Sequence, residues 1–517
     1  MESGYGILAL IPPIVAIVMS LITKHTILSL ILGVLTGVTI INNWNPLVAI
    51  PKMISDYLIP QIGNEWNAGM LMLITACGGF VYLIKISGAG KALGDIASKK
   101  IKTRKQAQTV AFFSAFAFIY TEPTLTLGTI MRPITERLRV SRVKLAYICD
   151  VMGCPFATLS PITSYSAYAT GLIATQLALL NSTENPWNIF VKAIPFNFYA
   201  IFGLIALFYV IQTSLDIGPM YKAEKRAIET GHLIGENDNP MERDDDSNTD
   251  ILDGKTIGIE NFIVPMVALF ITLFAVIFWT GNIAANGILG SIKESNITLS
   301  ITTGFIIGGL AAGIMGARAG LYKYSEIVGK FVKGIVLNAE IPIILVLAWS
   351  IGAITGVMQL KDFVVSFISG ASLPPAILPA IIFIIGAFIA FSTGSSWGVW
   401  SIMMPIAIPI AQTFNLPMTL VIGAVLSGGV FGDHCSPISD TTILASTAAG
   451  ADHIEHVRTQ LPYALLVGSS SAIGFGFGGL INPWIGFIAT AVSIVIGLNI
   501  FHKIAVNQEL KMSSNNA

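Results

Sequence analysis

Glu122, Asp150, Asp433, His434 and Asp440 are ionisable residues set in otherwise apolar stretches. A charge near the middle of a bilayer costs at least about 2.5–3.5 kcal/mol on insertion scales, so such positions call for a functional reason. Hydroxyls accompany them. Thr121 and Thr124 flank Glu122-Pro123, and Ser160-Pro161-Ile162-Thr163 follows Asp150. Ser392-Thr393-Gly394-Ser395-Ser396 forms a polar island, while Ser436, Ser439 and Thr441 stand among Asp433, His434 and Asp440. Freed carbonyls and hydroxyls suit a weakly held monovalent cation, while helix N-termini at such breaks could instead hold an anionic group. A proton and a cation competing for one buried carboxylate is the minimal antiport mechanism. Structural roles fit the same residues: Glu122 as a cap or a partner for Arg132, Asp150 as a packing partner of a hydroxyl, His434 as a donor that never titrates.

The elements that must position these groups are membrane helices. The chain has 517 residues, 54% hydrophobic and only 11% charged, with a mean hydropathy of +0.74. A soluble domain carries about 25% charged residues. The 29 basic residues balance 29 acidic ones, which leaves no cationic surface for nucleic acid. Cys77, Cys149, Cys154 and Cys435 lie in apolar stretches, which excludes a disulfide framework or zinc knuckles. Residues 6–22 contain Pro12-Pro13 and no small-residue cleavage site, and read as an uncleaved span.

About 20 apolar residues cross the hydrocarbon core, and spans are expected near 6–22, 26–41, 69–87, 188–213, 261–280, 299–317, 341–358, 460–480 and 484–502. Basic residues gather at 91–105, at 131–144 and at 318–333, whereas 42–66, 281–297 and 359–375 carry one Lys each. The basic set is therefore expected in the cytoplasm, with the N-terminus outside and the C-terminus inside. The polar stretch 214–260 reads as a flexible cytoplasmic linker. His453 and His456 read as a solvated loop pair.

The two halves resemble each other. Asn67-Ala68 matches Asn338-Ala339, Ser29, Gly33 and Gly37 match Ser300, Gly304 and Gly308, and Ser160-Pro161-Ile162 matches Ser436-Pro437-Ile438. Pro13 pairs with Pro265. The basic loop 88–106 corresponds to the charge-poor 359–375, so the halves are expected to insert in opposite orientation, as in many secondary transporters. The expected organisation is a first inverted repeat over 1–213, the linker 214–260, a second repeat over 261–480, and an extra span and tail over 481–517.

Each half contains two interrupted regions. Residues 107–120 are too short to cross and lead to Thr121-Glu122-Pro123-Thr124, which predicts a re-entrant hairpin; 376–414 is its counterpart, with two full spans as the other option. Residues 143–180 and 417–449 each read as one crossing broken at its centre, at Ser160–Ser164 and Asp433–Thr442. Proline frees carbonyls from the helix ladder, and in lipid such breaks are tolerated where they line a polar cavity or are buried in protein. The expected fold is an all-α polytopic membrane protein, an inverted-repeat secondary transporter with two hairpins, two broken helices and about 11 spans.

The segment Gly432-Asp433-His434-Cys435-Ser436-Pro437-Ile438-Ser439-Asp440-Thr441-Thr442 resembles the signature of the NhaC-type sodium/proton antiporter family, in the ion transporter superfamily. Lys144-Leu145-Ala146-Tyr147-Ile148-Cys149-Asp150, followed by Pro155 and Ser160-Pro161, resembles that family as well. Members often have Trp after the first Ser-Pro break; this chain has Tyr165. The resemblance implies hairpins and broken helices in a mobile transport domain. It also reaches sodium-coupled exchangers of small carboxylates, such as malate–lactate antiporters.

The leading expectation is exchange of cytoplasmic Na+ (or Li+) for external H+ in the plasma membrane, with no cofactor, no structural metal and no enzymatic activity. The other reading is Na+- or H+-coupled exchange of a small organic anion or amino acid. Partners are the lipid bilayer and the transported species, and two copies could pair as a homodimer. A serine hydrolase triad from Ser436, His434 and Asp440 is excluded because three residues on one short break cannot reach triad geometry.

Overall fold

The computed structural model describes residues 5–23, 25–89, 92, 101–118, 123–241, 257–360, 363, 374–437 and 439–515. Thr121 and Glu122 lie outside this set, and of Asp440 only the backbone is described. Regular structure among the described residues is helical. The principal helices are α1 (Ile11–Thr23), α2 (Thr26–Ile41), α3 (Glu65–Ile86), α4 (Arg104–Phe118), α5 (Pro123–Arg137), α6 (Arg142–Val151), α7 (Ser164–Leu179), α8 (Phe198–Thr213) and α9 (Gly218–Thr230). They continue as α10 (Glu260–Thr280), α11 (Ile297–Arg318), α12 (Glu340–Val357), α13 (Leu378–Thr393), α14 (Ser396–Thr413), α15 (Met418–Cys435), α16 (Asp440–Ala449), α17 (His453–Leu480) and α18 (Pro483–Asn515).

Nine helices among the described residues are long and apolar enough to cross a membrane. Their outer faces agree with that. On α10, Ile263, Val267, Ile271 and Phe274 are exposed at helical spacing, and on α18 so are Ile488, Val492 and Val495. Stripes of this kind are a liability in water and a solvation surface in lipid. The protein is a multi-pass membrane protein.

Helix α2 turns through 117° into the segment Pro46–Gly63. The expected span 188–213 is shorter than its apolar run: Pro195 and Asn197 separate a helix over Pro186–Ala193 from α8. Asn197 is fully buried at this break and ties it to both broken helices, donating to Thr158 Oγ1 (3.1 Å) and accepting from Ser427 Oγ (2.8 Å).

Packing between the halves is reciprocal. Helix α3 lies on α11, and α12 lies on α2. A Cβ at Gly37 would press on Pro12 and on Ile354 of α12; one at Gly308 would press on Pro265 and on Phe80 of α3. Pro12, one residue before the proline that the repeat pairs with Pro265, makes the contact.

One stretch departs from expectation. Much of the described part of 214–241 is not an open linker: α9 buries Met220, Ala223, Glu224 and Ala227, one face of a helix, against the bundle. The polar composition hides this because the stretch is held by ion pairs. Arg104 meets Glu224 at 2.5 Å, and the fully buried Lys144 pairs with Asp216, which also accepts from Tyr463 Oη (3.0 Å). Arg139 donates to the Ile228 carbonyl (3.2 Å) and Lys105 to that of Gln212 (2.7 Å), so these basic loops share one end of the bundle with the segment.

Candidate ion and proton site

Both helix breaks are present, but the first opens earlier than the expected Ser160–Ser164, directly after the helix that carries Asp150. Helix α6 starts from Ser141, which caps the Lys144 amide, and ends one residue after Asp150. The chain kinks at Met152-Gly153, makes one turn over Cys154–Ala157, and re-enters a helix at Thr163, whose hydroxyl and the Ser166 side chain form a capping box for α7. A side chain at Gly153 would collide with Thr124 of α5, so the first hairpin sits directly against the kink that follows Asp150. In the second half α15 ends at Cys435 and α16 is capped by Ser439. Helix α15 lies close on α13: a Cβ at Gly428 would stand 2.6 Å from the Phe383 carbonyl, and one at Gly432 would collide with that of Ala387.

These breaks bring Asp150 up to His434, the residue that follows Asp433 in α15. Asp150 is fully buried at the C-terminal end of α6, where the helix dipole disfavours a carboxylate. It accepts from Gln460 Nε2 (2.7 Å) and from Thr442 Oγ1 (3.1 Å), in the first turn of α16. His434 Nε2 lies 3.8 Å from the same Asp150 oxygen, and His434 Nδ1 is 2.6 Å from Tyr199 Oη. With Tyr199 donating, the neutral ring carries its hydrogen on Nε2, facing Asp150.

Asp433 has a different setting. Its Oδ2 accepts from the Ser396 amide (3.3 Å) at the start of α14, where the helix dipole favours negative charge, and lies 3.8 Å from Cys154 Sγ. Cys154 Sγ is also 3.8 Å from Ser396 Oγ, so the kink after Asp150 touches the tip of the second hairpin. Asp433 is 2% exposed. Lys144, buried in the same helix as Asp150, pairs with Asp216.

Of the residues singled out from sequence, the structure groups Asp150, Asp433, His434 and Ser396, with Thr124 against Gly153. Ser436 is buried beside them and donates to the Phe391 carbonyl (2.7 Å), which fixes the break to α13. Ser439 Oγ is 2.9 Å from Thr441 Oγ1 and caps the Thr442 amide. The remaining hydroxyls serve backbone. Thr163 bonds the Ala157 carbonyl, Ser160 meets the Ile162 amide, Ser392 and Thr393 bond carbonyls one turn back, and Ser395 caps α14. Sequence reasoning passed over Gln460, Tyr199, Thr442 and Cys154. Gln460 opens the expected span 460–480 directly after Glu455, His456, Arg458 and Thr459, so its polar neighbours in sequence hid it. It also misread His456, which is fully buried.

Broken helices that carry paired carboxylates in the middle of a helical membrane protein define a transporter. The profile of the Na+/H+ antiporter family matches residues 156–480, and the chain belongs to that family. An uncharacterised Haemophilus influenzae protein is 33% identical over 504 residues, 94% of each chain. The malate-2H(+)/Na(+)-lactate antiporter of Bacillus subtilis is 31% identical over 199 residues, 35% of this chain and 40% of its own. In fold, the YdaH transporter of Alcanivorax borkumensis, described as having an unusual topology, superposes with a TM-score of 0.58 at 15% identity over 85% of this chain and 89% of its own.

Proposed function

We propose that the protein is a secondary antiporter that exchanges cytoplasmic Na+ or Li+ for external H+, with Asp433 and Asp150 as the groups for which proton and cation compete. The observation that carries this reading is the pair of buried carboxylates at the two helix breaks, Asp150 beside the Thr442 hydroxyl and Asp433 beside the backbone amide of Ser396. A buried carboxylate is expensive to leave charged and uncompensated, so it accepts either a proton or a desolvated cation.

In this reading the halves insert with opposite orientation and the end bearing Arg104, Arg142 and α9 faces the cytoplasm. Residues 375–413 act as a re-entrant hairpin that delivers the α14 N-terminus to Asp433. Asp440, Ser436, Ser439, Thr441 and the first hairpin's Thr121, Glu122 and Thr124 complete the transport path, with Ser160, Thr163, Ser392, Thr393, Ser395 and Ser396 holding the helix ends around it.

A second reading, exchange of a small organic anion, is favoured by the Bacillus subtilis relative and by the rings beside Ser396, where Tyr165 and Tyr168 pack on Trp397 at 4.7 and 4.6 Å. Everted vesicles separate the two. Na+ or Li+ should dissipate a preset pH gradient without malate, lactate or amino acids. A gradient that responds to organic substrates alone would replace the first reading with the second.

A further inference from the structure

The Asp150 site continues toward the basic end through side chains that the transport reading does not use. Gln460 Nε2 bonds two acceptors, Asp150 Oδ2 and the His434 carbonyl, which fixes the amide orientation and turns Oε1 to His456 Nε2 at 2.9 Å. His456 Nδ1 lies 2.8 Å from Ser446 Oγ. His453 Nδ1 approaches the same oxygen at 3.0 Å, and its Nε2 lies 2.7 Å from the Pro437 carbonyl. His456 and Ser446 are fully buried, and His453 is half-buried at the start of α17.

The donors in this chain can be counted. Gln460 Oε1 and the Pro437 carbonyl only accept, so both Nε2 atoms must carry hydrogen. Both Nδ1 atoms face one hydroxyl, which can give its hydrogen to one ring alone; the other ring must then supply its own. Three N–H hydrogens on two imidazoles make one positive charge. Ser446 also lies 2.8 Å from the Thr442 carbonyl, and turning the hydroxyl hydrogen there would require a second charge to keep both ring contacts. Removing the proton leaves one Nδ1 lone pair facing the Ser446 oxygen.

We propose that His453, Ser446 and His456 form a binding site for one proton, shared between the two rings and tied electrostatically to Asp150 through Gln460; its place in transport rests on the antiport reading above. The transfer balances. The Nδ1–H bond of His453 breaks as an O–H bond forms on Ser446, while the hydroxyl's own hydrogen leaves to His456 Nδ1, and the charge moves from the surface ring to the buried one. The amide does not carry the proton onward. It holds a cationic ring on one side and the carboxylate on the other, so each charge favours the other.

The following charged groups lie near the pair among the described residues. Asp452 accepts from the Glu455 and Asn239 amides, Glu455 pairs with Arg458 (2.9 Å), and Arg142 donates to the Gly450 carbonyl (3.0 Å), with Arg132 packed on Gly450. Lys144 with Asp216 and Asp150 face the region from α6 and the segment before α9, and His434 faces it from α15.

Nitrogen-15 spectra of histidine-labelled protein in bilayers test the site without any substrate. At neutral pH one of the two rings, assigned through His453→Gln and His456→Gln, should be doubly protonated. In His453→Gln, His456 should become a neutral ring with hydrogen on Nε2. Neutral signals for both rings across about pH 5 to 8, the range of histidine titration, would overturn the proton site. In everted vesicles Ser446→Ala and His453→Gln should keep exchange but lose one titration step of the wild-type pH profile in that range. An unchanged profile beside a cationic ring would overturn the link to transport. Loss of ion exchange in the wild type would remove the antiport reading and leave the spectra to decide the proton site.

Discussion

Gln460 Nε2 donates to Asp150 Oδ2 at 2.7 Å and to the carbonyl of His434 at 2.6 Å. One amide of α17 thereby joins the end of the first broken helix to the end of α15, and sets the distance between the two carboxylate environments. Leaving a buried acceptor without its donor costs about 1–3 kcal/mol. Gln460→Leu should retain insertion but reduce exchange by about tenfold or more, because about 1.4 kcal/mol of misplaced binding corresponds to that factor. Initial rates in everted vesicles at matched expression are the measurement, and a wild-type rate would assign Gln460 to packing alone.

Asp433 and Asp150 differ in what holds them, and their variants should differ too. Asp433→Asn keeps the shape of the α14 N-terminal contact yet removes the charge, and should abolish exchange while the protein still inserts. Asp150→Asn places an amide against the Gln460 and Thr442 donors, so it should lose exchange and also show a lower unfolding temperature. Retained transport in Asp433→Asn would take that residue out of the mechanism.

The broken crossings were readable because prolines and ionisable residues in apolar runs are rare and local. Ser160-Pro161 and Ser436-Pro437 lie in the two breaks and Asp433 and His434 stand next to the second, whereas the earlier kink at Met152-Gly153 that follows Asp150 carried no such mark. Partners supplied by packing were not readable. Gln460 meets Asp150 across 310 positions and Tyr199 meets His434 across 235. The histidines were misjudged for the same reason: His456 is polar and follows a loop, and only the docking of α16 against α17 buries it. Residues 214–241 looked disordered because their charges were read as solvated, whereas Asp216 and Glu224 are buried against Lys144 and Arg104.

That buried pairing ties α9 and the segment before it to α4 and α6. Lys144 also sits over the rings of Tyr147 and Tyr463, 5.9 and 5.8 Å from their centroids, and Tyr147 stacks on Tyr463 at 4.8 Å. Lys144→Met leaves Asp216 buried without its cation, a change that costs about 3–5 kcal/mol for a buried pair. Thermal unfolding of detergent-purified protein should show a clear fall for Lys144→Met. The double variant Lys144→Met with Asp216→Leu should recover most of it, since removing both charges also removes the desolvation penalty. A double variant no better than the single one would mean that the pair contributes beyond charge compensation.

Binding of the transported ion should be visible without transport. A ligand that binds the folded state alone stabilises it by about 2.7 kcal/mol at one hundred times its dissociation constant. Adding NaCl in place of choline chloride at constant ionic strength should therefore raise the unfolding temperature of the wild type. It should leave Asp433→Asn unmoved, because the variant lacks the carboxylate charge that compensates a desolvated cation. Ser396→Ala keeps the amide that reaches Asp433 but removes the hydroxyl beside Cys154, and should retain the Na+ response with a weaker apparent affinity. A wild-type unfolding temperature that rises with malate or lactate and not with Na+ would place an organic anion, instead of the cation, in this site.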